Sequence, residues 1–168
     1  APAFFYMTQY IPKSYQEIIE YLNNLPPVDG WFTQNYGGDG SSTNSVSKDG
    51  LKKPWQKKNT MRLDAIRDEI DRLGLDEVTK SVCIASLILA LDQVDSTLGH
   101  FVSYLNDWSP RSYKDMKLVV PDLFVNDKKN TVLNFDIFNA IEHIGNDIDL
   151  AYYDPPYGSN NEKMPPSR

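Results

Sequence analysis

A single cysteine, Cys83, in 168 residues leaves no material for an internal disulfide framework and matches a reducing compartment. It lies in an apolar helical run, where a buried structural thiol is the simpler reading than a nucleophile. No apolar run approaches the roughly 18 residues that a membrane-spanning helix needs, and no secretory signal pattern is present. The expectation is a soluble cytoplasmic protein with no membrane partner. Histidine is nearly absent too. His100 and His143 lack a second histidine or a carboxylate at ligand spacing, so no metal site is predicted. His143 is read as the cation near a helix C-terminus. Positive charge is also in deficit, the formal net charge being −6. A nucleic-acid partner would therefore require a local basic face. Gly37-Gly38-Asp39-Gly40 has neither the preceding strand nor the spacing of a phosphate-cradling turn, which sets that reading aside.

What is present centres on Asp149 to Tyr157. The strand-like run Leu150-Ala-Tyr-Tyr153 leads directly into Asp154-Pro155-Pro156-Tyr157. A residue before proline is pushed out of the α region, so Asp154 and Pro155 are expected extended just past a strand. The carboxyl ends of strands are where open α/β sheets bind ligands. A carboxylate, a main-chain carbonyl and an aromatic ring held together there suit activation of an exocyclic amine. The amino nitrogen of adenine is a poor nucleophile because its lone pair is delocalised into the ring. Acceptors on its N–H groups, the Asp154 carboxylate and the Pro155 carbonyl, would localise that pair and stabilise the charge developing as a methyl group arrives. Tyr157 would stack on a base extruded from the duplex. The bland alternative is a strand ending in a proline turn. At ordinary residue usage a given tetrapeptide arises by chance on the order of once per 100,000 positions.

The rest of the chain reads as helices followed by a change of composition. Ala1 to Tyr10 is rich in aromatic residues and looks like an interior piece of a protein. Ser14 and Glu17 form a capping-box pattern that opens a helix to about Asn24, with Tyr15, Ile18, Ile19 and Leu22 on one face, and Pro26-Pro27 stops it. Asn35 to Ser47 is read as a mobile surface loop that runs on into a basic stretch to about residue 58. Between Lys48 and Arg62, the cations Lys52, Lys53, Lys57, Lys58 and Arg62 surround Trp55 and suit phosphate contacts, although solvated charge explains them equally well. Asn59 or Thr60 is expected to cap a helix whose stripe is Leu63, Ile66, Ile70 and Leu73, with Gly74 as its stop. Asp76 opens a long helix to about Leu98, roughly 35 Å. Apolar all round at its centre, it is expected to be the buried helix, with Gly99 past its end. Trp108 to Lys117 is read as a polar loop in which Arg111, Lys114 and Lys117 offer a second set of backbone contacts. Thr131 to Phe135 is then a strand, Ile137 to Ile144 a helix stopped at Gly145, and Leu150 to Tyr153 a second strand. These form one βαβ unit with parallel strands. The fold class is α/β: a mostly helical recognition region over residues 1–125, then a partial Rossmann-like catalytic core over 126–168 ending in the Asp-Pro-Pro-Tyr loop.

Taken together these elements resemble the DNA adenine-N6 methyltransferases of bacterial restriction–modification systems, the class that includes the Dam methylases. The resemblance rests on Asp154-Pro-Pro-Tyr157, on Leu133-Asn-Phe-Asp136-Ile-Phe-Asn-Ala, and on a middle block. That block comprises Asn59 to Arg67, Ala85-Ser-Leu-Ile88, and Trp108-Ser-Pro-Arg-Ser-Tyr-Lys114. It implies methyl transfer from S-adenosylmethionine to adenine in double-stranded DNA, with Asp154, Pro155, Pro156 and Tyr157 as the catalytic loop. It also implies that Asp136, Ile137 and Asp154 face the cofactor. On chemistry alone Asp136 is equally a helix N-cap. The family's Gly-rich cofactor loop, Phe-x-Gly-x-Gly, does not occur in residues 1–168, nor do the strands that follow the catalytic loop. The chain is therefore expected to be an interior segment whose partners include the remaining parts of the same methyltransferase. A DNA-binding module without catalysis is the rival reading, and an RNA or protein-glutamine substrate is a third.

Overall fold

A computed structural model describes residues 14–40, 42–97, 105–123, 131–145 and 148–153. Helix α1 (Tyr15–Asn23) begins where its local chemistry says it should: Ser14 is the N-cap and its hydroxyl accepts the Glu17 N–H. Its apolar face, Ile18, Ile19 and Leu22, is fully buried. A short helix α2 (Trp31–Tyr36) leads into β1 (Gly37–Gly38), which pairs in parallel with β2 (Trp55–Gln56), Gly37 opposite Trp55 and Gly38 opposite Gln56. Helix α3 (Lys57–Arg72) follows β2 without a break, and α4 (Glu77–Asp92) follows a turn in which Gly74 adopts φ +61°. That left-handed conformation is the usual helix C′ geometry and favours glycine.

Helix α3 is the hub, packed against α1, α2, α4 and both strands. Its Leu63, Ile66 and Ile70 meet Ile18, Ile19 and Leu22 of α1, Cys83, Leu87 and Ala90 of α4, and Trp55, Val94, Met116 and Leu118. Two asparagines tie the 114–118 segment onto this core. Asn59 donates to the Lys114 carbonyl at 2.9 Å and accepts from Met116 N at 2.9 Å. Asn23 does the same for both backbone groups of Leu118. A buried carboxylate organises α2 from outside it: Asp64 of α3 accepts from the N–H groups of Gly30, Phe32 and Thr33 and from the Thr33 hydroxyl. It acts as a remote N-cap, since Gly30 has no side chain to serve.

Several expectations need correction. Helix α3 starts at Lys57 rather than at a cap supplied by Asn59 or Thr60. Asn59 is committed to the 114–118 segment, and Thr60 Oγ1 donates back to the Lys57 carbonyl at 3.0 Å. Helix α4 ends at Asp92, about 24 Å long, because the chain beyond it is captured by distant groups. Ser96 N donates to the Pro54 carbonyl, and the Asp95 carbonyl accepts from Ser109 and Arg111. Gly99 lies outside the described residues. Nor is α4 buried all round, as Ile88 and Leu89 are exposed while Val82, Cys83, Ser86, Leu87 and Ala90 face inward. The stretch read as a loop from 35 to 58 contains the end of α2, both strands and isolated bridges Asn44–Asp107 and Val46–Lys52. Gly38 is small for a packing reason: a Cβ there would come within 2.8 Å of the Trp108 ring. Trp108 to Lys117, expected to be a polar loop, carries a 3₁₀ turn (Pro110–Tyr113) with Trp108, Ser112 and Met116 buried.

The chain divides into two units, Ala1–Leu123 and Phe124–Arg168. In the second, α5 (Ile137–Ala140) continues as a 3₁₀ turn (Ile141–His143), and the His143 ring stacks on Phe135 at 4.5 Å. His143 does sit in the last turn, as the sequence suggested. The flanking strands are not formed: neither residues 131–135 nor 150–153 are in a strand, so the expected βαβ unit is not seen among the described residues. A strand exists only through its ladder partner, and Val132, Leu150 and Tyr152 stand 94%, 86% and 87% exposed with no such partner among the described residues. The architecture described is therefore mixed: helices with one two-stranded sheet.

Candidate functional site

The catalytic loop expected at Asp154, Pro155, Pro156 and Tyr157 lies outside the described residues, as does His100. Earlier in the second unit, Asp136 is exposed and caps α5, its Oδ1 accepting the Phe138 N–H at 3.0 Å. This realises the capping role expected of it and leaves its second carboxylate oxygen available to a ligand. Ile137 is the first residue of that helix.

The basic residues fall into distinct groups once their partners are visible. Lys53 is 6% exposed, and its ammonium donates to Asp49 at 2.8 Å and to the Asn35 carbonyl at 3.1 Å. That pairing holds the Asp49 carboxyl below its ordinary range. Lys57 pairs with Asp29 at 2.6 Å. Lys58 bridges Asp115 at 2.7 Å and the Tyr113 carbonyl at 2.6 Å, and its hydrogen bond lowers the Asp115 pKa. Arg62 donates to the Asn23 carbonyl. Arg111 is anchored to Asp95 twice, by an ion pair to the carboxylate and by Nε to the carbonyl at 3.1 Å. Lys52 and Lys114 are exposed and make no ion pair among the described residues, and the same is true of Lys48 and Lys117.

Of the residues singled out in the sequence, the fold brings Arg111 and Lys114 to one place. They line a cavity of about 320 Å³ with Lys117, Asp92, Gln93 and Asp115, at the C-terminal end of α4. Lys58 reaches the same edge through Asp115. Lys53 and Lys57 are instead drawn to Asn35 and Asp29. Sequence reasoning missed Asp95, whose side chain is 2% exposed, although Arg111 depends on it. No local pattern marks it, because its partner is 16 residues away. Cys83 is fully buried, and burial pushes its thiol up to about 11, so it is no nucleophile. Among the described residues no group of side chains could hold a metal ion, and no helix is long and apolar enough to cross a membrane.

The chain is 32% identical over 105 residues to the modification methylase StsI of Streptococcus sanguinis, covering 60% of this chain and 16% of that protein. It is 30% identical over 153 residues to the type II methyltransferase M.CviAII of Paramecium bursaria Chlorella virus 1, covering 86% of this chain and 42% of the relative. M.FokI of Planomicrobium okeanokoites is 31% identical over 103 residues, 59% of this chain and 16% of its own. The chain thus spans less than half the length of each of these relatives. No solved structure matches it. A family model matches residues 5–165, nearly the whole chain and the Asp-Pro-Pro-Tyr element with it, and the chain therefore belongs to the D12 class of N6 adenine-specific DNA methyltransferases.

Proposed function

We propose that this chain is the target-recognition and catalytic-loop section of a site-specific methyltransferase of restriction–modification type. It would serve transfer of a methyl group from S-adenosylmethionine to the N6 amine of a flipped-out adenine in double-stranded DNA. The observation that carries the reading is the family match across residues 5–165, within which Asp154-Pro-Pro-Tyr157 stands. The Asp154 carboxylate and the Pro155 carbonyl would accept hydrogen bonds from the two amine N–H groups, aim the nitrogen lone pair and stabilise the positive charge growing on it. Proline at 155 and 156 disfavours helical backbone at the residue before each, which would suit the presentation of these acceptors. Tyr157 stacks on the base after it leaves the duplex. The donor set upstream fits the cofactor: Asp136 is exposed with one carboxylate oxygen uncommitted, and with Ile137 it would hold the nucleoside part. When bound, the cofactor supplies an electrophilic methyl group. Transfer is direct, without a covalent enzyme intermediate.

The experiment is transfer of labelled methyl from S-adenosylmethionine into duplex DNA, with N6-methyladenine identified after digestion. Asp154→Ala should abolish incorporation while DNA binding persists, and normal transfer by that variant would overturn the catalytic assignment. A second reading, a DNA-binding section that needs further sequence for catalysis, is favoured by the short span relative to the relatives. DNA binding by the 168-residue chain without any transfer is the outcome that selects it.

A further inference from the structure

We propose that the cavity lined by Arg111, Lys114 and Lys117 at the C-terminal end of α4 seats a backbone phosphate of duplex DNA, with Asp95 as the residue that positions Arg111. The proposal rests on the DNA-binding reading above and locates its contact. Four observations single this cavity out from the other basic surface. First, Arg111 is held rather than loose. Its Nε donates to the Asp95 carbonyl at 3.1 Å, and its guanidinium pairs with an Asp95 carboxylate that is almost fully buried. The second carboxylate oxygen of Asp95 takes the Thr97 hydroxyl at 2.6 Å. The Arg111 side chain nevertheless remains 40% exposed and lines the cavity, so an anchored cation still offers donors outward. A guanidinium fixed on one edge loses little entropy on meeting a phosphate with the other.

Second, the two lysines project from backbone that cannot drift. Asn59 clamps the Lys114 carbonyl and Met116 N, and Asn23 clamps Leu118. Met116 and Leu118, on either side of Lys117, are each 1% exposed. Third, neither lysine has an anionic partner among the described residues, whereas Lys53, Lys57 and Lys58 are already paired. Fourth, the acids at the cavity do not cancel this charge. Asp115 is engaged by Lys58 and Asp95 by Arg111, which leaves Asp92 against two free lysines. A local positive surplus on a chain of net charge −6 is the footprint expected of a phosphate contact. Among the described residues, Lys48 and Lys52 also make no ion pair but lie on exposed loop and line no described cavity, and Arg62 is spent on the Asn23 carbonyl.

The test uses the whole 168-residue chain and a fluorescein-labelled duplex of about 20 base pairs, with affinity read by anisotropy from about 50 to about 200 mM salt. Lys114→Gln with Lys117→Gln should lower affinity about tenfold or more at the lower salt. The same pair should reduce the slope of log affinity against log salt by about 1, the change expected for one phosphate contact. Arg67→Gln with Lys80→Gln removes equal charge from the Asp71 cluster and should leave the slope unchanged. Both substituted lysines are exposed, so circular dichroism should report an unaltered fold. If the cavity pair binds like the Asp71-cluster pair, the phosphate seat is wrong while DNA binding stands. If the unsubstituted chain shows no salt-dependent binding of the duplex, the DNA-binding reading and this seat fall together.

Discussion

The two units of this chain treat their apolar residues in opposite ways. In the first, Ile18, Leu22, Ile66, Ile70 and Leu118 are 1% exposed or less, and asparagine and aspartate side chains sew distant segments onto the core they form. In the second, Val132, Phe138, Leu150 and Tyr152 are all more than 80% exposed, and only Ala140 among its described hydrophobic residues is buried. The difference teaches where the chain is self-sufficient. A helical region satisfies its backbone locally and needs only side-chain packing to close. Strand-forming segments satisfy theirs only against neighbouring strands.

The sharpest way to break the comparison is to delete core volume in each unit. Ile66→Ala should cost about 3 kcal/mol or more, since it removes a side chain that α1 and α4 both pack near. Leu150→Ala should change stability by less than about 0.5 kcal/mol, there being little burial to lose. Urea denaturation followed by circular dichroism reads both, and equal effects would mean that Leu150 is covered in solution.

A middle-sized effect is expected at Asp64. Removing its carboxylate strands the Gly30, Phe32 and Thr33 donors at the start of α2, so Asp64→Ala should destabilise by about 2–3 kcal/mol. Hydrogen exchange should quicken first at Phe32 and Thr33. Uniform exchange across the unit would deny Asp64 its capping role.

The smallest effect is a pH dependence confined to the first unit. Burial, then the hydrogen bond to Glu69, pushes Tyr21 up to about 12 from 10.0. Its contribution is therefore complete below pH 10 and lost as pH rises toward 12. Glu69 is itself penalised by burial, but hydrogen bonds from Arg72 and Tyr21 outweigh that and lower its pKa below 4.5. Its contribution is present above that value and lost as pH falls through the lowered one. Tyr21→Phe should cost about 1 kcal/mol at neutral pH and remove part of the alkaline loss. Thermal midpoints across pH 7 to 12 measure it, and an unchanged alkaline limb would show that the pair does not couple.

The motifs were legible because each is short. Asp154-Pro-Pro-Tyr157, Asp136 ahead of a helix and the Ser14 cap are each contained within a few residues, and the family match extends over all of them. The basic residues were legible as charges but not as contacts. Whether Lys53 is a surface cation or a buried strut depends on Asn35 and Asp49, and whether Arg111 is free depends on Asp95. Helix α4 was read too long for the same reason, its end being set by the Ser96 N–H donating to the Pro54 carbonyl and by hydrogen bonds from Ser109 and Arg111 to the Asp95 carbonyl.

The sequence by itself determined the helix starts that are capped by adjacent residues, the apolar stripes, and the family to which the chain belongs. Those properties depend on neighbours within a turn or two, or on motifs compact enough to be read in line. Only the tertiary structure decided which cations are spent on internal partners and which gather at the end of α4, because Coulomb attraction and hydrogen bonding act through space rather than along the chain.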